Sequence, residues 1–486
     1  MNENSPVREA SRATEVFRMR EGDRTMSEMR AMPGMAPDMS IVGKEPWPAV
    51  RQGWYTVVIF GFIVMTLFGN AQVMFLMVGP IKLDLKLTDT QTALIIGFMS
   101  QLVNALASLP ISRFVDRYSR KFIIAAGLII AALSNAAVGL SATAAMLLAA
   151  RLIGGLGGAG NAPACYSMLG DLFPPAKLPK ALSVMNIGFS TGIGLSMMLG
   201  GLLIFAVMKM PSPTLPILGE LRPWQVVFLI MAIPDFVLGL LVWFTLGEPK
   251  RRGVGQPGGA PPAKAESLPL KTIAQYWWEN RAAFLPMYLG LACNSVAMGA
   301  GFWSAEFYRR TFDWSPAQYG IKQGLMLVLV APLFLLFGGW LAERFARNGR
   351  DDANLRVTYL ATLAHVPFAV FYGLVGNPYL ALVLLVMNTC VILMGAGPQN
   401  AALQSIVPNR MRAQITASFL LIFTLGGGFG GVLVGWITDY GFRDEAQLRY
   451  SLVVTHLVLG PLATWIFWKG MKPYGEAMAR AKAWNQ

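Results

Sequence analysis

The chain has 486 residues, of which 55% are hydrophobic and only 14% charged, with a formal charge of +14 at pH 7 and a mean hydropathy of +0.49. A soluble chain carries nearer about a quarter charged residues, so a water-soluble enzyme is excluded and an all-α membrane protein is expected. The positive charge does not call for nucleic acid as a partner, because the Lys and Arg residues fall in short loops between apolar runs, as the positive-inside rule requires.

Residues 1–50 are polar, rich in Arg and Met, and lack the apolar core of a signal peptide. They read as a disordered cytoplasmic arm, and the internal Met26, Met35 and Met39 leave the true start open. Apolar runs long enough to cross hydrocarbon follow near 54–79, 90–111, 122–141, 143–170, 180–208 and 224–246, within a first bundle at 51–247. A Gly-, Pro- and Lys-rich stretch marks a cytoplasmic linker at 248–281. It ends in "LPLKTIAQYWWEN" (268–280), which reads as an interfacial amphipathic helix. Six more runs, near 282–308, 320–342, 355–375, 379–406, 412–438 and 447–469, make a second bundle at 282–470, with a cytoplasmic tail at 471–486. Cys165, Cys293 and Cys390 lie inside apolar runs, and their odd count argues against a disulfide framework. With two histidines and no Cys/His cluster, neither a metal nor another cofactor is expected.

The basic clusters (Arg113 to Lys121, Lys177/Lys180, Lys250 to Arg252, Arg344 to Arg356, Arg410/Arg412, Lys469/Lys472) lie in alternate loops, all on the side of the N-terminal arm. Both termini are therefore expected in the cytoplasm, in an inner-membrane, multi-pass chain. The halves also repeat. "SRFVDRYSR" (112–120) and "GWLAERFAR" (339–347) each follow the second run of a half, aligning Asp116 with Glu343 at an offset of 227 residues. Such repeats build alternating-access carriers.

These loops resemble the signature Gly-x-Leu-Ala-Asp-Arg-x-Gly-Arg-Lys of the major facilitator superfamily. The second copy supplies Gly339, Leu341, Ala342, Glu343, Arg344 and Arg347; the first keeps Asp116, Arg117, Arg120 and Lys121 but opens on Ser112. "ARLIGGLGGAG" (150–160) is similar to the family's fourth-span motif. With "GAGPQNAALQSIVPNRMRAQ" (395–414), the pattern is most similar to the spinster-like branch, over roughly residues 50–470. The resemblance implies twelve transmembrane helices in two pseudo-symmetric six-helix bundles, with the first, fourth, seventh and tenth spans lining a cavity. On that frame the candidate cavity residues are Asn70, Gln72, Arg151, Asn161, Asn294, Trp303, Asn388, Gln399, Asn400 and Gln404, joined by Gln101, Asn104 and Asn186 from the second and fifth spans. Asp116, Arg117, Arg120, Glu343, Arg344 and Arg347 are the expected cytoplasmic gate, since an acid at a span end accepts charge-assisted bonds from a helix N-terminus and from arginines.

Proton-coupled members of that branch are expected to carry an Asp-Arg pair and a Glu where this chain has Asn70, Ala71 and Gly158. The chain is then a facilitator, or it couples through Asp235, Glu306 (beside Arg309 and Arg310), His365 or His456. The glycine runs at 154–160 and 426–431 lack a phosphate-loop tail and are read as close helix packing. Gly188, Gly192 and Gly194 match the family's antiporter motif only in part, Ile193 standing where proline is expected. The expected function is secondary or facilitative transport of a small organic, amphiphilic solute by a monomer, with protons as a second partner if transport is coupled. A transporter-like receptor without net transport is the alternative.

Overall fold

A computed structural model describes residues 47–174, 177–211, 213–215, 219–251, 270–408 and 411–483. The N-terminal arm through Pro46 and residues 252–269 of the linker lie outside the described residues. So do the side chains of Asp116 and Asn186. The described residues are helical almost throughout. The first half comprises α1 (Val50–Leu76), α2 (Val78–Leu85), α3 (Asp89–Thr92) running through a π-helical Ala93–Phe98 into α4 (Met99–Arg117), α5 (Arg120–Gly139), α6 (Ala144–Gly158), α7 (Asn161–Leu172), α8 (Leu178–Val207) and α9 (Pro223–Thr245). A two-residue hairpin, β1 (Thr214–Leu215) with β2 (Gly219–Glu220), precedes α9. The second half comprises α10 (Leu270–Glu279), α11 (Arg281–Gly299), α12 (Ser304–Phe312), α13 (Pro316–Arg347), α14 (Ala353–Leu374), α15 (Pro378–Ser405), α16 (Arg412–Trp436) and α17 (Leu448–Ala483).

Ten helical stretches among the described residues are long and apolar enough to cross a membrane. The other two expected spans are α6 with α7, broken at Ala159–Gly160, and α8. Twelve crossings are therefore consistent with the architecture. Helices satisfy most backbone N–H and C=O groups internally, the open-chain solution hydrocarbon permits. The expected spans agree with the helices to within a few residues except at the end, where α17 continues to Ala483 instead of stopping near 469. The reason is packing: Tyr474, Ala477 and Ala481 are buried, and the first two join the core of Phe284, Leu355 and Phe467.

Inside the halves, α1 lies along α8 and α9 along α5, while α11 lies along α17 and α14 along α15. Two seams carry most of the contact between the halves among the described residues: α8 with α13, and α16 with α3, α4 and the π-helical turn between them. The first seam depends on glycine. A Cβ on Gly324 would stand 2.4 Å from the Met198 nitrogen and 2.5 Å from the Gly194 carbonyl, and one on Gly194 would stand 2.9 Å from the Gly324 carbonyl. Gly194 thus serves backbone approach between halves, the small-residue packing that replaces a hydrophobic drive in lipid.

This closeness predicts the effect of added volume. Gly324→Val should cost about 1–3 kcal/mol of overpacking and lower the melting midpoint of the purified protein. Gly339→Ala, where a Cβ meets nothing within 4 Å, should leave it unchanged.

Candidate functional site

The polar side chains of the spans divide into three groups: those used up between helices, those left without a partner, and those gathered at one end of the bundle.

The first group is large. Asn104 donates to the Gly155 carbonyl at 3.2 Å, and Asn161, 1% exposed, to the Gly157 carbonyl at 3.4 Å. Arg151 directs both Nε (3.1 Å) and Nη2 (2.9 Å) at the Ile96 carbonyl, which lies in the π-helical turn at the start of the second span. The Trp303 indole donates to the Gly431 carbonyl at 2.8 Å, and Gln404 to Asn400 at 3.1 Å. Asn388 meets His365 Nδ1 at 3.1 Å. His456 bonds the Leu452 carbonyl at 2.8 Å, and its ring lies 6.4 Å from that of His365. Both histidines are buried inside the second half. Gln101 packs against α16, its Cβ 3.3 Å from where a Cβ on Gly428 would stand.

Asn70 and Gln72 part company. Two residues along a helix are about 200° apart, so they cannot serve one surface. Asn70 reaches across to α9, where its Nδ2 donates to Asp235 at 2.7 Å, and Asn135 of α5 donates to the same oxygen at 2.9 Å. Gln72 precedes Phe75 by one turn, and the Phe75 ring meets Phe302 of the second half at 5.2 Å, so Gln72 lies on the face toward that half. In the second group, Asn294 Oδ1, Gln323 Oε1 and Gln399 Nε2 are buried atoms with no described hydrogen-bond partner.

The third group is the most organised. At the end of the bundle reached by α2 and α12, three cations meet three carboxylates. Asp89, fully buried, receives a bidentate fork from Arg310 (Nη1 at 2.8 Å, Nη2 at 2.7 Å) and an ion pair from Lys82. Glu306, 2% exposed, accepts from Arg310 Nε at 2.6 Å and from Arg309 at 2.6 and 2.8 Å. Glu445 closes the cluster on Lys82 at 2.8 Å. Asp439 accepts the backbone N–H groups of Asp89 (3.2 Å) and Thr90 (2.7 Å) and the Thr90 hydroxyl (2.6 Å), so a carboxylate of the second half caps a helix of the first. Gly79 permits the approach: a Cβ there would fall 2.1 Å from Glu306 Oε2. Every described side-chain hydrogen bond or ion pair that joins the two halves lies in this cluster.

The opposite end contrasts with it. Arg120, 1% exposed, pairs with Asp171 and with Glu248 at 2.9 Å, wholly within the first half. Among the described residues Glu343 bonds Arg347 one turn on, and both are exposed. Arg344 lies over the Trp340 ring, and Arg117 is exposed. Burial opposes the charge on Glu248, but the Lys121 N–H, the Arg120 side chain, the Ser119 hydroxyl and the Arg120 N–H outweigh it and hold the carboxyl below its usual range.

The expected gate set therefore omitted Lys82, Asp89, Asp439 and Glu445. Their signal was two charged loops, one directly after the first span (Lys82, Asp89) and one before the last (Asp439, Glu445), which read equally well as topology. Glu306 with Arg309 and Arg310 was visible as a local acid–base run, though not its reach to Asp89.

Comparison with known proteins places this geometry. A model described as "Major Facilitator Superfamily" matches residues 57–431. An "MFS-type efflux pump" of Mycolicibacterium smegmatis is 26% identical over 425 residues, covering 86% of this chain and 92% of that protein. "Protein spinster homolog 3" of Danio rerio is 24% identical over 371 residues, 70% of this chain and 69% of that one. The crystal structure of a bacterial homologue of the human lysosomal transporter spinster, in an inward-facing, unoccupied conformation, superposes with a TM-score of 0.76 at 22% identity, covering 88% of this chain and 99% of that chain. The chain is thus similar to the spinster-like branch, in fold as well as in sequence.

Two expectations test the two ends. Asp89→Asn removes the charge that Arg310 and Lys82 share, and breaking a buried pair costs about 3–5 kcal/mol; spin labels at Lys86 and Arg443 should move apart in double electron–electron resonance. An unchanged distance would mean that the cluster does not hold the halves together. At the other end, the lowered Glu248 carboxyl contributes stability that is present above its unfolded value of about 4.3 and is lost as pH falls through the lower folded value. Glu248→Gln should flatten that acid limb in a melting-versus-pH series.

Proposed function

We propose that this chain, which belongs to the Major Facilitator Superfamily and is a non-enzymatic multi-pass membrane transporter, exports a small organic solute across the cell membrane by alternating access. The observation that carries the reading is the asymmetry of the ends. Among the described residues, side-chain bonds between the halves are concentrated in the Asp89–Arg310 cluster, while Arg120, Glu343 and Arg347 at the far end bond within their own half. A carrier closed at one end and free at the other is one of the two states alternating access needs. With both termini in the cytoplasm, the closed end faces outward and the free end inward. Asp116, Arg117, Arg120, Glu343, Arg344 and Arg347 then form the inner gate, whose cross-half bonds belong to the other state.

Export is favoured by the likeness to the mycobacterial efflux pump, which spans nearly the whole of that protein. The solute site is assigned to Gln72, Asn294 and Gln399, which lie on the expected cavity-lining spans; Asn294 and Gln399 keep a buried polar atom free. A buried unpartnered polar atom costs about 1–3 kcal/mol, which an amphiphilic solute carrying complementary groups relieves on binding. The receptor reading is disfavoured because a static protein has no need of a second, unengaged set of charges at the far end.

Proteoliposomes containing the purified chain decide between them, with tetracycline and ethidium as probes. Transport of a bound probe down its gradient is expected; a probe that binds yet never crosses sinks the transporter reading. Gln399→Leu should leave the melting midpoint unchanged or raise it, and should weaken probe binding by about tenfold or more.

A further inference from the structure

We propose that Asp235, enclosed between α1, α5 and α9, is a proton-binding site, and that Asn70 passes its charge state to α1. Asp235 is fully buried and stands roughly 15–18 Å from either end of α9. Asn70 Nδ2 (2.7 Å) and Asn135 Nδ2 (2.9 Å) both donate to Oδ2. Oδ1 accepts no hydrogen bond from a described residue, and neither does the buried Oδ1 of Asn70. The nearby Thr66 hydroxyl donates to the Ile63 carbonyl at 3.1 Å.

No cation pairs with this carboxyl among the described residues. The charged and titratable groups of the elements packed against it stand at the element ends: Arg51 and Tyr55 of α1, Arg120 and Lys121 of α5, Lys180 and Lys209 at the ends of α8, Glu220 and Arg222 before α9. Arg151, the one charge inside a neighbouring span, is committed to the Ile96 carbonyl. The cluster therefore holds one uncompensated carboxyl and two idle acceptors. Proton transfer from hydronium, in which one O–H bond of H3O+ breaks as one forms at Oδ1 and a water molecule is released, turns an acceptor into a donor and removes the charge.

The charge also sets the hold on α1. A hydrogen bond to an ionised carboxylate is roughly twice as strong as one to a neutral group, so protonation loosens the Asn70 tether. Beyond Asn70, α1 reaches Phe302 of the second half through Phe75, and α2 carries Lys82 into the Asp89 cluster. Pro234, immediately before Asp235, withholds one N–H from α9 and leaves the backbone there free to adjust. Proton occupancy is thereby linked to closure of the outer end. The link to transport rests on the function proposed above; proton binding itself does not.

Infrared difference spectroscopy on the full chain in lipid, with 13C-labelled aspartate, reads the site directly between about pH 5 and 9. The expected result is a labelled carboxylic-acid C=O band that appears and disappears with pH, is absent in Asp235→Asn and is replaced in Asp235→Glu by a titrating band at the unlabelled frequency. No band lost in Asp235→Asn, or a band unchanged across the range, overturns the proposal. In proteoliposomes, Asp235→Asn should move tetracycline at equal pH within about threefold of wild type while its response to an imposed pH gradient falls at least tenfold; a full response in the variant overturns the link. A titrating band with no flux sinks only the transporter reading, and flux without the band sinks only the site. Should Asp235→Asn fail to fold, the labelled wild type and Asp235→Glu carry the test.

Discussion

The closed end of this transporter depends on the meeting of Asp89 with Arg310. Both side chains are nearly or wholly withdrawn from solvent, each already paired within its own half, and their bidentate contact offsets the desolvation cost of burial at the joint. Joined, they let Lys82, Glu306, Arg309 and Glu445 balance three positive against three negative charges. The arrangement binds firmly only while all members are in register. A small rotation of one half would break the Asp89–Arg310 fork and the Lys82–Glu445 pair together, leaving each half its own Lys82–Asp89 or Arg310–Glu306 pair, which makes the closed end two-state and not gradually deformable.

The rest of the interface between the halves is built to tolerate such a rotation. Along α8 and α13 the contact is backbone against glycine, at Gly194 and Gly324, with no described side-chain hydrogen bond across it. Smooth, close-packed helices hold by dispersion, and sliding or rocking them exchanges one set of contacts for another of similar energy. Strong bonds at one end and glycine contacts along the middle therefore divide the labour: the ends choose the state, and the seam allows the change.

Much of this was legible in the residues. The spans, the repeat and the glycine packing follow from hydropathy, spacing and the restriction that hydrocarbon places on backbone polar groups. What the residues did not reveal is the direction in which a polar side chain points. Asn104, Arg151 and Asn161 stand where a cavity lining was expected, yet each donates to a backbone carbonyl of a span. Arg151 has a physical reason to do so, because its carbonyl partner belongs to a π-helical turn, and π-turns cannot be read from composition. Asp89 and Asp439 were illegible for a different reason: a charge at a loop looks the same whether it sets topology or joins two halves 350 residues apart in sequence.

Asn70 shows why a missing charge in one helix does not decide coupling. Read along α1 alone, an amide at this position argues for a carrier that takes up no proton. Read across the helix contact, the amide is the hydrogen-bond partner of a carboxylate 165 residues away. The chemistry of a span belongs to the helix pair and not to the helix, because in a membrane each polar group must be answered by a neighbour. An acid that sits one helix aside from α1 changes what the proton meets. On the proposal above, it would share no carboxylate with the solute and would act on the solute path through the strength of one hydrogen bond to α1. Coupling of this form weakens gradually as the amide's hold is altered, whereas competition for a shared carboxylate is lost outright when that group is removed.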